Sequence, residues 1–308
     1  MNSFFFNITD TSYKITNILK NKKEHIRRVD ISNGIVYLDI SLEALHIAKP
    51  LHVKNLDRML VITVVKKGCI FLKDNIENNE YKITKSRIDV FVSSRQDINI
   101  NINNSGETEV FVLFIADFIL KRYLSLNKNE IIDILYEKLQ SELSFEVIDT
   151  RPLDALSLYI INKITVSKSN DHLNSIKCEH NVLELLIHRL SLVNIIDKIE
   201  LSNDEKCIAK SAKDILLKSF INPPTIEILA HLCATNETKL QYTFKKVYKT
   251  TIHTYIQKLR LEKANLLLKE QCLNIGQIAK KVGYKHQGNF SKLFFEHYGV
   301  YPRDLLKK

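Results

Sequence analysis

The sequence predicts an α+β fold: an antiparallel β-barrel with accompanying helices, followed by an all-α domain of two helix-turn-helix units joined by a long helix. Three observations predict it. Apolar residues recur with a period of two from Gly34 to about Ala116, the period becomes helical after Asp117, and a segment of roughly 50 residues recurs within the last third. These changes divide the chain at about 1–120, 121–205 and 206–308.

In the first part Val36, Leu38, Ile40 and Leu42 alternate with mixed residues, and Ile98, Ile100 and Ile102 alternate with Asn. Met59 to Val65 is a continuous apolar run rich in β-branched residues. Cys69 to Leu72, Ile88 to Val92 and Glu109 to Ile115 are further strand candidates, separated by turn material such as Lys67-Gly68, Asn78-Asn79 and Asn103-Asn104-Ser105-Gly106. Short strands at this spacing, with no helical run among them, argue for a barrel or sandwich.

In the middle part Pro152 opens a helix with Leu153, Leu156, Tyr159, Ile160 and Ile164 on one face, because proline is tolerated at a helix start. A longer helix carries Ile176, Val182, Leu183, Leu186, Leu190 and Val193 as its apolar stripe. Two readings of that stripe stand side by side: packing on the chain's own barrel, and an antiparallel helix pair that forms a homodimer. The polar stretch Glu200 to Lys206 reads as a short hinge.

Charge places the function. The 308 residues include 45 Lys+Arg and 35 Asp+Glu, a net charge of +10. Ser211 to Lys308 alone holds 17 basic and 7 acidic residues, so the whole excess lies there and the rest is neutral. A cationic domain on a neutral body points to a polyanion, and nucleic acid comes first. The five cysteines lie far apart without a C-x-x-C pair, which excludes the usual zinc and redox patterns and reads as buried small hydrophobes in a reducing cytosol. Met1 to Phe6 lacks the features of a signal peptide, and no run approaches the roughly 20 apolar residues of a membrane span. The expectation is a cytoplasmic protein without membrane contact.

The repeat carries the chemistry. Ile228-Leu229-Ala230, Cys233, Ala234, Leu240, Phe244 and Tyr248 correspond to Gln277-Ile278-Ala279, Val282, Gly283, Phe290, Phe294 and Tyr298, with one extra residue in the second turn. In each copy a small residue (Ala230, Ala279) lets two helices cross closely, a turn follows, and a second helix turns a polar face outward. Between the copies Ile252 to Lys269 lacks Gly and Pro and reads as one helix of about 27 Å at about 1.5 Å per residue. Successive major grooves on one face of DNA lie about 34 Å apart, so such a connector suits two recognition helices in adjacent grooves of one duplex.

Thr225-Ile226-Glu227-Ile228-Leu229-Ala230, Phe244-Lys245-Lys246, Leu259-Arg260-Leu261-Glu262-Lys263-Ala264, Ile278-Ala279 with Val282-Gly283-Tyr284, and Phe290-Ser291-Lys292 with Tyr298-Gly299-Val300 and Pro302 resemble the DNA-binding domain of AraC/XylS-type transcriptional regulators. The resemblance covers about the last 100 residues. It implies seven helices holding two helix-turn-helix units, and sequence-specific DNA binding that most often activates transcription, with RNA polymerase as a partner. Ala234 and Thr235 depart from the pattern, which puts the angle of the first recognition helix in question. The resemblance also implies a cupin-like β-barrel in front, holding a small-molecule effector or a dimerization surface. Asn222-Pro223-Pro224-Thr225, Asn236, Lys239-Leu240 and Thr250-Thr251 are similar to the branch that regulates siderophore uptake, which implies an iron-siderophore effector.

Carried over residue by residue, the base-contacting positions fall on Thr238, Gln241 and Tyr242, and on Gln287, Gly288, Ser291 and Lys292. Gln can pair with adenine through two hydrogen bonds, Lys reaches guanine acceptors, and Thr or Ser serves either. Gly288 only permits close approach, with His286 and Asn289 beside it. Lys239, Lys245, Lys246, Lys280, Lys281 and Lys285 are assigned to phosphates, which position the domain without reading sequence.

Other classes fit poorly. A metal-dependent cupin enzyme needs closely spaced histidines and a carboxylate, whereas His46 and His52 are six apart and His25 is isolated. A DNA-repair methyltransferase of related domain type would need more cysteines. Cys178, His180 and His172 are the one local set of soft ligands. Catalytic and metal-binding residues and a cofactor are therefore not expected. A regulator that binds DNA without an effector is the alternative to the ligand-gated one.

Overall fold

The computed structural model describes residues 2–5, 13–20, 24–43, 50–54, 58–76, 78–93, 97–102, 106–125, 130–140, 146–166, 173–193, 203–248 and 250–306. They fall into two units, Met1–Leu153 with Ser157–Val193, and Asp154–Leu156 with Asn194–Lys308. His46, His172, the turn residues Asn103 to Ser105 and the hinge residues Glu200 to Ser202 lie outside the described residues.

The first unit contains strands β1 (Asn2–Phe5), β2 (Lys14–Lys20), β3 (His25–Ser32), β4 (Ile35–Leu42), β5 (Leu51–Lys54), β6 (Met59–Lys67), β7 (Cys69–Asp74), β8 (Glu80–Thr84), β9 (Arg87–Ser93), β10 (Asp97–Ile102) and β11 (Thr108–Ala116). Helices α1 (Asp117–Lys121) and α2 (Ile131–Gln140), strand β12 (Glu146–Pro152), and helices α3 (Ala155–Thr165) and α4 (Asn174–Leu192) follow. The strands make a five-stranded sheet in the order β1-β5-β10-β7-β8 and a seven-stranded sheet in the order β12-β9-β6-β11-β4-β3-β2.

This corrects the expected barrel to two open sheets. It also corrects the expectation of purely antiparallel pairing, since β1 runs parallel to β5. The outer strands β2 and β8 place exposed charged residues such as Lys14 and Glu80 along their edges, which discourages further pairing. The alternating residues of β4 and β10, among them Leu38, Ile40, Ile98 and Ile100, join one buried cluster fed by both sheets. Met59 to Val65 reads as an unbroken apolar run because β6 is central and buried on both faces.

Pro152 ends β12, opposite Arg87, and α3 begins only at Ala155. Because β12 is an edge strand, the missing proline N–H costs no ladder bond, and a helix-start signal was in fact a strand end. On α4, Val182, Leu186 and Leu190 are buried, whereas Ile176 and Ile187 stand 67% and 70% exposed. Arg189 is fully buried and its Nη2 donates to Asp149 on β12 at 2.8 Å.

The second unit contains α5 (Asn203–Ser219), α6 (Ile226–Leu232), α7 (Glu237–Tyr248), α8 (Ile252–Glu270), α9 (Ile275–Lys281), α10 (Gln287–Tyr298) and α11 (Pro302–Leu306). These are the seven helices expected, counted among the described residues. The hinge expectation is corrected at its end: Asn203 to Lys206 belong to α5, whose first turn holds Asp204 and Glu205. Acidic residues favour a helix N-terminus, so the polar stretch was a helix start. Among the cysteines, Cys178 and Cys233 are buried as expected, but Cys207 and Cys272 are exposed.

Candidate nucleic-acid interface

The two repeat copies fold by the same local rules. Thr225 caps α6, its hydroxyl accepting from the Ile228 N–H, and Asn274 caps α9 in a reciprocal capping box with Gln277. Such caps contribute about 1 kcal/mol each. Each first helix then ends in the same pair of backbone bonds. Thr235 N–H donates to Ala230 C=O at 3.0 Å and Ala234 N–H to His231 C=O at 3.0 Å; Tyr284 N–H donates to Ala279 C=O at 2.9 Å and Gly283 N–H to Lys280 C=O at 3.1 Å. That double closure needs a left-handed residue after the helix. Gly283 supplies it at φ +95°, and Ala234 supplies it at φ +52° despite its side chain. The departure at Ala234 therefore leaves the pattern of turn bonds unchanged.

The turns differ by the one residue read from the sequence: 233–236 lie between α6 and α7, and 282–286 between α9 and α10. Behind them the cores match. Leu229, Ala230, Leu240 and Phe244 are buried in the first copy, and Ile278, Ala279, Phe290 and Phe294 in the second. The ring pairs Phe244–Tyr248 and Phe294–Tyr298 stand at 4.7 Å and 52°, and 4.6 Å and 57°.

This packing turns the predicted contact positions outward. Thr238, Gln241 and Tyr242 on α7 are exposed, as are Gln287, Gly288 and Lys292 on α10, while Ser291 is half-buried. A side chain at Gly288 would meet nothing within 4 Å, so this point of α10 is open. Asn236 starts α7 by accepting from the Lys239 N–H at 2.8 Å, whereas His286 gives α10 no side-chain cap.

The predicted phosphate contacts are not alike. Lys245, Lys280, Lys281 and Lys285 are exposed. Lys239 Nζ lies 2.6 Å from Asp204 Oδ2, and Lys246 Nζ lies 2.7 Å from Glu205 Oε1 and 5.9 Å from the centre of the Tyr242 ring. The hydrogen bond to Glu205 holds the Lys246 ammonium above the usual lysine range. Lys292 reaches only a long, exposed contact of 3.8 Å to Glu296.

The connector α8 has 19 residues, about 28 Å at about 1.5 Å per residue. Its Arg260 is a positioning residue that sequence reading passed over. Nε donates to Phe220 C=O at 2.8 Å and Nη2 to Ile221 C=O at 2.9 Å, and the guanidinium lies 5.5 Å from the Tyr284 ring centre. It thereby ties the end of α5 to the second turn. The signal was present as an arginine inside the quoted Leu259–Ala264 motif, but its acceptors are backbone atoms 39 and 40 residues away.

In the first unit His25 Nε2 is 3.0 Å from Asp39 Oδ2 and His52 is buried at 7% exposure. Cys178 is buried and His180 is exposed on α4. Among the described residues no group of three or more His, Cys, Asp or Glu is placed to hold a metal ion, and no helix is long and apolar enough to cross a membrane.

A helix-turn-helix domain family profile matches residues 229–308. The regulator AlkR of Acinetobacter baylyi is 38% identical over 81 residues, which cover 26% of this chain and 26% of that protein. The HTH-type transcriptional activator CfaD of Escherichia coli is 28% identical over 126 residues, covering 37% of this chain and 46% of CfaD. Residues 229–308 are a helix-turn-helix domain of the AraC/XylS type. The DNA-binding dual transcriptional regulator Rns of E. coli extends the match to 51% of this chain and 61% of Rns, at 25% identity. The matches thus span from about a quarter to about three-fifths of these relatives' own length. Among solved structures, an AraC-type regulator from Chromobacterium violaceum covers 34% of this chain at 22% identity and TM-score 0.32. Unsaturated fatty acid bound ToxT from Vibrio cholerae covers 94% of this chain and 97% of ToxT, at 16% identity and TM-score 0.31. The AraC-type domain contains both repeat copies from Leu229 onward, and so every predicted contact residue.

Proposed function

We propose that this chain is a sequence-specific transcriptional regulator whose two helix-turn-helix units enter adjacent major grooves of one DNA duplex. The observation that carries the reading is the duplicated turn: two recognition helices are launched by the same backbone closure from a domain that holds the chain's entire excess of positive charge. Thr238, Gln241 and Tyr242, and Gln287, Ser291 and Lys292 with Gly288 as the point of close approach, read base edges. Lys245, Lys280, Lys281 and Lys285 meet phosphates. Activation through RNA polymerase, in the cytoplasm, is the favoured direction, because CfaD is named a transcriptional activator.

The first unit is the place for a small-molecule effector and for self-association. The exposed or half-buried residues Leu173, Ile176, Leu183 and Ile187 follow one another at spacings of three, seven and four along α4, outside the stripe buried within the unit. Such a seam suits a second copy of the helix in antiparallel order. None of AlkR, CfaD and Rns is described as a regulator of siderophore uptake.

Lys292→Ala and Lys245→Ala test the contact roles. Binding is titrated across salt on a duplex selected by the protein and on single-mismatch variants of it. Lys292→Ala relaxes discrimination at one base pair, whereas Lys245→Ala weakens every duplex evenly and lowers the log–log salt slope by about one. Equal, sequence-blind losses for both would overturn the assignment.

A further inference from the structure

The first turn of α5 touches the first recognition helix. Asp204 and Glu205 meet Lys239 and Lys246 at 2.6 and 2.7 Å. The two lysines are seven residues apart, two helical turns, so they share one flank of α7 beside the exposed face of Thr238, Gln241, Tyr242 and Lys245. The Lys246 pair is the better shielded, with side-chain exposures of 30% and 17%, against 48% and 66% for the Lys239 pair.

We propose that Asp204 and Glu205 are an electrostatic latch that withholds Lys239 and Lys246 from DNA phosphates, so that the first turn of α5 sets how tightly the first helix-turn-helix grips the backbone. The latch rests on the DNA-binding reading above. A carboxylate oxygen at 2.7 Å occupies the place a phosphate oxygen takes on an ammonium, and it neutralises the charge that otherwise displaces a counterion. Two fixed negative charges on the flank also repel the backbone itself. Both carboxylates belong to the same helix start, where helices fray, so opening one turn releases both lysines.

The test uses the full-length chain and a fluorescent 30-base-pair duplex of mixed sequence, with affinity measured from 0.05 to 0.3 M salt. Asp204→Asn with Glu205→Gln steepens the log–log salt slope by about 0.9 for each lysine released, and tightens binding at 0.1 M salt by up to about eightfold for each. Lys246→Met in the parent leaves the slope nearly unchanged, because the latched lysine contributes little. Glu205→Gln then tightens binding less in the Lys246→Met background than in the parent, because only the repulsion by its own charge is left to remove. An unchanged or weaker affinity for the double carboxylate variant with parental circular dichroism overturns the latch, as does a loss of about 0.9 in slope for Lys246→Met alone. If the parent fails to bind the duplex even at 0.05 M salt, the DNA-binding reading falls and the latch with it; if it binds and the slopes do not move, the latch alone falls.

Discussion

Replacing Gly283 by alanine perturbs the second turn in two separable ways. At φ +95° the backbone is in a region where an L-residue is disfavoured by about 1–2 kcal/mol. The new Cβ would also sit 2.7 Å from the Ile221 carbonyl oxygen and 3.0 Å from Arg260 Cζ. Neither neighbour yields easily, because that carbonyl accepts from Arg260 Nη2 at 2.9 Å and the guanidinium is held by a second carbonyl, that of Phe220. Overpacking of this kind costs about 1–3 kcal/mol, giving about 2–5 kcal/mol in all. Hydrogen exchange read by mass spectrometry on peptides from α9 and α10 measures the effect locally, in the intact chain. At about 1.36 kcal/mol per decade, protection falls roughly 30- to 5,000-fold. A fall of less than about fivefold, under about 1 kcal/mol, would refute the reasoning that close approach at Gly283 fixes the turn.

The first turn responds in the opposite direction: Ala234→Gly relieves a left-handed alanine at φ +52° and stabilises α6 and α7 by about 1 kcal/mol or less after the entropic cost of glycine, seen as slower exchange there. Arg189→Ala leaves Asp149 short of a buried partner, and because Arg151 stays 3.0 Å away the loss falls near the lower end of the about 3–5 kcal/mol typical of broken buried pairs, measured by exchange in α4 and β12. Burial pushes the Tyr13 hydroxyl from 10.0 up to about 12. The folded state holds that proton more tightly, so its contribution to stability is full below pH 10 and is lost as pH rises towards about 12; Tyr13→Phe removes this part of the alkaline transition.

The helical half was the more legible in the sequence because its signals are local and occur twice. Small residues at Ala230 and Ala279, aromatic residues at Phe244 and Phe294, and a turn longer by one residue are all fixed by neighbours within a few positions. The continuous helix through Ala264 ends within one residue of its expected bound, at Glu270. The β half was legible in type but not in closure. Alternation in β4 and β10 marks strands, but which strands become edges depends on pairings across the chain, such as Leu51 with Ile100 and Thr150 with Asp89. Pro152 and the Asn203-Asp204-Glu205 run misled because each residue type has two uses: proline suits an edge strand as well as a helix start, and acidic residues suit a helix start as well as a hinge. At the interface the contact positions were legible only through the family resemblance, whereas the Arg260 clamp and the carboxylates that hold Lys239 and Lys246 depend on contacts 35 to 41 residues apart.

In the function proposed above, one chain reads two adjacent major grooves of one duplex. The full-length protein is incubated with fragmented DNA of its own source at near-physiological salt, and the retained fragments are sequenced. The prediction is a bipartite motif whose two elements lie about one helical turn apart and lose binding when five base pairs are inserted between them. A single undivided element, or two elements indifferent to that insertion, would contradict it.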